Sequence, residues 1–232
     1  MWIDDQMLQE AHRDFYSRSW IPVGPMVVLG AANKKETEVH LGTCKDLKVP
    51  VLRRYGGGGT VLLDKGCVVI SAGMWVRETF SNDRYFAGLN QSVIDVLAAR
   101  WPVLARLRQN GISDLVDGDY KVAGTSLFRS RNYLLYQASL LITPDLALME
   151  RLLAHPSKEP GYRRGRSHRS FLRGVAEVQP DLTGAGVCRA IDEGLEQAIA
   201  GRLGGQLCPV FTDQVAPVKR RLAAAPREAA HP

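Results

Sequence analysis

The segment most able to do chemistry runs Val51-Leu52-Arg53-Arg54-Tyr55, then Gly56, Gly57, Gly58 and Gly59, then Thr60-Val61-Leu62-Leu63-Asp64. Consecutive glycines are costly, because glycine loses more backbone entropy on folding than any other residue. They supply positive φ in return, and they let a ligand approach backbone N–H groups that can bind phosphate or carboxylate oxygens. Arg54 beside the run offers a fork suited to a phosphate or an acyl carbonyl. The same residues also fit a flexible turn with two solvated arginines. No Gly-Lys-Ser/Thr follows, so this is not a Walker A loop, and the spacing does not fit the dinucleotide fingerprint. A second segment sets an acid and a lysine close together: Gly111-Ile112-Ser113-Asp114-Leu115, then Asp119-Tyr120-Lys121-Val122-Ala123-Gly124-Thr125-Ser126. Alone, such a lysine is usually solvated and such an acid often caps a turn.

The elements that must position these residues follow from local pattern. Met26–Leu29, Thr60–Leu63, Cys67–Ala72 and Leu134–Ile142 are short apolar runs bounded by Gly, Pro or Asp and read as strands. Asp64-Lys65-Gly66 suits the turn of a hairpin between the second and third of them. Ser81 or Asn82 can cap a helix with the stripe Phe86, Leu89, Val93, Val96 and Leu97. Thr143-Pro144-Asp145 combines a cap, a first-turn proline and an acid before Leu146, Met149 and Leu153. Val187, Ile191, Leu195 and Ile199 recur every four residues and predict a C-terminal amphipathic helix. The expected class is α/β (α+β), with a mixed, largely antiparallel sheet flanked by helices. Residues 1–215 are expected to form one domain. The tail 216–232, rich in Ala, Arg and Pro without a clear core face, is expected to be disordered.

With 232 residues, 45% hydrophobic and 23% charged, the chain can build a sizeable core without disulfides. Cys44, Cys67, Cys188 and Cys208 are scattered with no Cys-x-x-Cys spacing, which argues against a zinc knuckle or redox motif and for free thiols. Cys67, in an apolar strand, reads as core. His40, His155 and His168 lack metal-ligand spacing. The polar N-terminus and the lack of a long apolar run predict a cytoplasmic protein without a membrane span. A net charge of +6 suits an acidic partner. Residues 151–173 carry seven arginines and lysines, among them Arg163, Arg164 and Arg166, against one acid, Glu159. They lack the aromatic interleaving of a single-strand nucleic-acid surface. That disfavours nucleic acid and leaves a nucleotide or an acidic protein as the expected partner of this stretch.

Arg-Arg-x-x-Gly-Gly-Gly-x-Val-x-x-Asp resembles the signature of lipoate–protein ligases and related octanoyltransferases. The Asp114 and Lys121 segments resemble the family's Asn-Asp-Ile/Leu and Gly-x-Lys-Ile/Val-Ser/Ala-Gly elements. Val27-Val28-Leu29-Gly30 fits its leading strand, and Pro160 through Phe171 echoes a downstream segment. The match spans about Val27 to Ile142. It implies a ligase that uses ATP and Mg2+ to activate lipoate or octanoate, then acylates a lysine of a lipoyl-domain carrier. It assigns Arg54, Gly57, Gly58, Gly59, Thr60, Val61, Leu62, Gly124 and Thr125 to nucleotide or acyl-adenylate contacts. Lys121 is assigned to the phosphate and carbonyl as the catalytic residue, and Asp114 to the nucleotide and magnesium.

The chain departs from the family at several points. Tyr55-Gly56 stands in place of Ser-Gly, Leu63 in place of a histidine, and Tyr136-Gln137-Ala138-Ser139 in place of His-His-Gly-Thr. The longer ligases' accessory domain is not among its residues, so a separate accessory subunit is a possible partner. Competing readings are a cysteine-dependent octanoyl or lipoyl transferase between carriers, and a non-catalytic lipoyl-binding paralogue. No cysteine closely follows the lysine motif, which disfavours the transferase.

Overall fold

A computed structural model describes residues 3–79 and 81–224. In chain order the elements are α1 (Ile3–Gln9), β1 (Phe15–Trp20), β2 (Met26–Leu29), α2 (Lys35–Glu38), α3 (Leu41–Asp46), β3 (Val51–Arg53), β4 (Val61–Leu63) and β5 (Cys67–Trp75). There follow α4 (Asn82–Arg100), β6 (Arg108–Asn110), β7 (Asp114–Asp117), β8 (Tyr120–Ser130), β9 (Tyr133–Leu141), α5 (Leu146–Leu152), α6 (His168–Phe171), α7 (Gly184–Leu203) and α8 (Thr212–Ala224). Six strands form an antiparallel sheet in the order β1-β5-β9-β8-β7-β6, and β3-β2-β4 form a second, mixed sheet. The expected mixed, largely antiparallel α/β class is the one observed.

Alternation along the strands builds three layers. Val68, Ile70, Ala72 and Met74 of β5, with Leu134, Tyr136, Ala138 and Leu140 of β9, face α4 and α7 in the main core. The expected helix stripes meet them there: Leu89, Val93 and Leu97 from one helix, Val187, Ile191, Leu195 and Ile199 from the other. On the opposite face Val69 packs under Val28 and Leu63 of the small sheet. Farther along that face Trp75, Tyr133 and Leu135 are covered by Met7 and Leu8 of α1 and Val218 of α8. Among the described residues no helix is long and apolar enough to cross a membrane.

Three expectations are corrected. The Asp64–Gly66 turn forms, with Gly66 N–H bonded to Asp64 Oδ1 at 2.7 Å, but it does not close a hairpin. β4 pairs with β2 while β5 pairs with β1 and β9, because Gly66 O accepts from Ile142 N at 2.8 Å and carries the chain into the other sheet. Asp145 rather than Thr143 caps α5, accepting from Leu148 N at 2.8 Å. The segment from 216 to 224, expected to be disordered, belongs to helix α8. Val215 and Val218, three apart, form a narrow apolar edge that closes on α1, which the Ala- and Arg-rich composition hides. Residues 225–232 lie outside the described part.

Candidate functional site

Strand register assembles the site on the face away from α4 and α7. Val69, Ser139, Gly124 and Asp114 stand in one row across four neighbouring strands, and Ser71, Gln137 and Ser126 in another. A β-bulge then re-aims the lysine. Leu115 pairs with Ala123 but Val116 pairs with Lys121, so Val122 is the extra residue. Lys121 thereby folds back over Gly124, where a Cβ would come within 3.1 Å of Nζ. Its ammonium meets Asp114 Oδ1 at 2.7 Å, and Tyr162 donates to Asp114 Oδ2 at 2.8 Å. Thr125 fixes the adjoining turn, with N and Oγ1 both donating to Ser113 O, at 2.9 and 2.7 Å.

The glycine loop lies above this row. Gly58 alone of the four needs a left-handed backbone, with φ of 91°. A Cβ at Gly57 or Gly59 would meet nothing within 4 Å, which leaves open space beside the loop. Both arginines turn inward. Arg53 clasps the carbonyls of Gly30, Ala31 and Asn33 at 2.8–3.1 Å. Arg54 donates to Gly57 O and Gly59 O, each at 2.7 Å through Nη2. The solvated-turn reading is thus not what the structure holds. Arg54 supports the loop from below while also forming part of the pocket wall. Burial lowers the Arg54 guanidinium to about 10, still charged at neutral pH. Beneath the loop the buried Asp4 accepts from Tyr55 N at 2.7 Å and from Gln137 Nε2 at 2.8 Å. Burial raises the Asp4 carboxyl above the ordinary range.

Two connected cavities open here. An inner pocket of about 100 Å3 runs over Val28, Val61, Leu63, Val69 and Ala138 to Gln137. It widens past Gly58, Gly59, Thr60 and Lys121 into a cleft of about 1000 Å3. Cofactor pockets commonly measure about 300–1000 Å3, so the cleft has room for a nucleotide and the apolar inner pocket for part of a slim chain. Of the expected residues, Arg54, Gly58, Gly59, Thr60, Val61, Asp114, Lys121, Gly124 and Thr125 all line the inner pocket, and Leu62 lines the cleft. Gly57 lines neither, its carbonyl being held by Arg54. Asp4, Gln137 as a pocket wall, and Tyr162 were not anticipated. Gln137 could have been suspected because it replaces a family histidine, whereas Asp4 left no signal so far from the glycines.

The basic stretch 151–173 is not uniformly exposed. Arg163 is buried, and both it and Arg166 lie over the Phe171 ring, at 4.9 and 5.1 Å. Arg164 and Arg169 remain exposed. Magnesium was expected at Asp114. Among the described residues no three His, Cys, Asp or Glu side chains converge. An ion carried mainly by nucleotide phosphates needs only one or two protein carboxylates. Asp114 fits that single role, since each of its oxygens accepts one bond and keeps a free lone pair.

Two predictions arise here. A Cβ at Gly30 would stand 2.1 Å from Gly58 O, so Gly30→Ala must push the glycine loop outward. A loss of roughly 1–3 kcal/mol is expected, visible as a lowered calorimetric midpoint; an unchanged midpoint would contradict the close approach. The second concerns His168, which lines the cleft. Burial, then the Arg163 charge, lowers its imidazole from 6.5 to about 4. Because the folded value is the depressed one, its stabilising contribution is complete above 6.5 and fades as pH falls towards 4. NMR should find its ring neutral at pH 6, and His168→Gln should flatten stability across that window. A ring midpoint near 6.5 would refute this.

Comparison with known proteins agrees with the geometry. The lipoyl protein ligase A/B catalytic-domain model matches residues 3–196, and the chain belongs to that family. A curated relative, "Inactive lipoate--protein ligase 2" of Plasmodium falciparum (isolate 3D7), is 25% identical over 183 residues, 64% of this chain and 47% of the relative. The chain thus spans about half the length of that relative. Among solved structures, a lipoate-protein ligase A bound with ATP aligns with TM-score 0.68 at 21% identity, covering 94% of this chain and 86% of the other. The bi-partite lipoate protein ligase of Thermoplasma acidophilum, from a study that includes its E2 lipoyl domain, aligns with TM-score 0.66 at 20% identity, covering 94% and 87%. At such identities these two structures establish the shared fold.

Proposed function

We propose that the chain is an ATP-dependent lipoate–protein ligase, activating lipoate or octanoate to an acyl-adenylate and acylating a carrier-protein lysine. The observation that carries this reading is Lys121, ion-paired and aimed where the apolar pocket meets the large cleft. In the first step a carboxylate oxygen bonds to the α-phosphorus of ATP, and pyrophosphate leaves with the electrons of the broken P–O bond. In the second the neutral carrier amine attacks the acyl carbonyl, AMP departs, and the amide nitrogen loses a proton. Bound magnesium supplies charge neutralisation on the phosphates, with Asp114 as its protein ligand. Lys121 stabilises the negative charge that builds on the carbonyl and phosphate oxygens. The glycine-loop N–H groups orient the phosphate, and Val28, Val61, Leu63 and Val69 hold the acyl chain out of water. The ATP-bound ligase of similar fold supports a nucleotide in the cleft, and the T. acidophilum system supports a lipoyl domain as the carrier class. Incubation with lipoate and Mg-ATP followed by mass spectrometry should reveal lipoyl-AMP; its absence would count against the ligase.

The thiol-dependent transferase is disfavoured by position and by acidity. None of the four cysteines lines either cavity, and burial raises all four thiols, Cys67 to about 12. A variant with every cysteine changed to Ala or Ser should therefore still form lipoyl-AMP, with some stability lost at Cys67. An acyl-thioester trapped on one cysteine would reverse that conclusion. The non-catalytic reading draws on Gln137 and Leu63 standing where the family has imidazoles, and on a relative whose name records inactivity.

A further inference from the structure

The cleft wall opposite the glycine loop carries a cation that the reading above does not use. Arg163 lines the cleft with its side chain only 6% exposed. Its Nε donates to Arg166 O at 2.9 Å, Glu159 stands 3.5 Å away, and Phe171 lies under the guanidinium. Nη2, however, is buried without any hydrogen-bond partner. Leaving a buried donor of an ionised group unmade is costly, and native proteins seldom tolerate it without a ligand or solvent to complete it.

The surrounding charge points to the sign of the missing ligand. Lys34, Lys121, Lys158 and Arg163 all line this cleft. Its acids are already engaged: Asp114 by Lys121 and Tyr162, Glu38 by Ser157, and Glu159 by His155 and Gly165 N. The depressed imidazole of His168, with Arg163 as the largest charge acting on it, senses the same positive field, only partly offset by Glu150. A guanidinium binds phosphate oxygens through a planar, two-pronged fork, and two linked phosphates suit a pair of fixed cations.

We infer that Arg163, acting with Lys121, forms a diphosphate subsite that receives the β- and γ-phosphates of the nucleotide and releases pyrophosphate. This rests on the ligase reading and adds to it. It also moves Arg163 from the surface expected to dock a carrier into the nucleotide site.

The test is calorimetric titration of the wild type, Arg163→Gln and Arg163→Lys with inorganic pyrophosphate, ATP and AMP, each protein first checked for an intact melting transition. Pyrophosphate should bind the wild type. Arg163→Gln should weaken pyrophosphate and ATP about tenfold or more, as expected for a lost charge-assisted bond, while AMP changes little. Arg163→Lys should retain part of the affinity, and it serves as the second variant should glutamine prevent folding. In the wild type, pyrophosphate should also raise the NMR titration midpoint of His168, a response absent from the glutamine variant. No pyrophosphate binding by the wild type, unchanged affinity in a folded variant, or equal loss for AMP would overturn the subsite. A wild type that binds pyrophosphate through Arg163 yet forms no acyl-adenylate would uphold the subsite and overturn the ligase instead.

Discussion

Lys121→Ala should fold normally and lose nearly all acyl transfer. The side chain is partly exposed in the cavity wall, lies over Gly124 and contributes nothing to the hydrophobic core, so its removal leaves packing intact. Losing one preorganised donor from a site of developing charge typically costs on the order of a hundredfold or more in rate. Lys121→Arg should recover little. A guanidinium is larger and planar, and it cannot occupy the compact position between Asp114 and the backbone of Gly124. Adenylate formation and transfer should be timed separately, because the lysine is placed to serve both. Turnover like the wild type's in folded Lys121→Ala would end the catalytic assignment and favour a lipoyl-binding role.

The second large effect should come from Asp4, on the first helix and far in sequence from the glycines it supports. Asp4→Ala removes the acceptor for two buried donors, Tyr55 N–H and Gln137 Nε2. It also removes the carboxyl whose charge favours ionised Arg54. Each buried donor left unmade costs about 1–3 kcal/mol, so a total near 3 kcal/mol is expected. For a domain of this size that is a drop of roughly 6–12 °C in Tm. Asp4→Asn keeps an oxygen for Tyr55 N–H, and Gln137 can turn its own carbonyl towards the new amide. The asparagine should therefore restore more than half of the lost Tm. Since Tyr55 begins the glycine loop, the alanine variant should also bind acyl substrate more weakly. A melting temperature within a degree or two of the wild type would refute the role.

The chemistry was largely legible in the sequence because it resides in residue types that serve little else. The glycine run, the Lys121-Val122-Ala123-Gly124 segment and Asp114 could be picked out one by one, and the cavity brings these segments together. Long helices were legible too, since an apolar residue every three or four positions is a strong local signal and Leu89, Val93, Ile191 and Leu195 carry it. Strand pairing was not. The Asp64–Gly66 turn is compatible with a hairpin or with a crossing between sheets, and only bonds to residues 142 and 143 select the crossing. β7 and β8 looked like motif rather than strand, because their polar site residues break the alternation by which a strand is recognised.

The tertiary structure alone decided what each charged group does. Arg54 and Arg163 look alike as sequence, each one of an adjacent arginine pair and each next to a tyrosine. Burial and neighbours divide them: Arg54 finds carbonyls for its donors and becomes scaffold, while Arg163 leaves one donor unmade. Asp4 carries no local sign of its role, since its partners are some 50 and 130 residues away. Residue identity determined which chemistry this chain could perform. Long-range packing, which sets who is desolvated beside whom, determined which residues are placed to perform it.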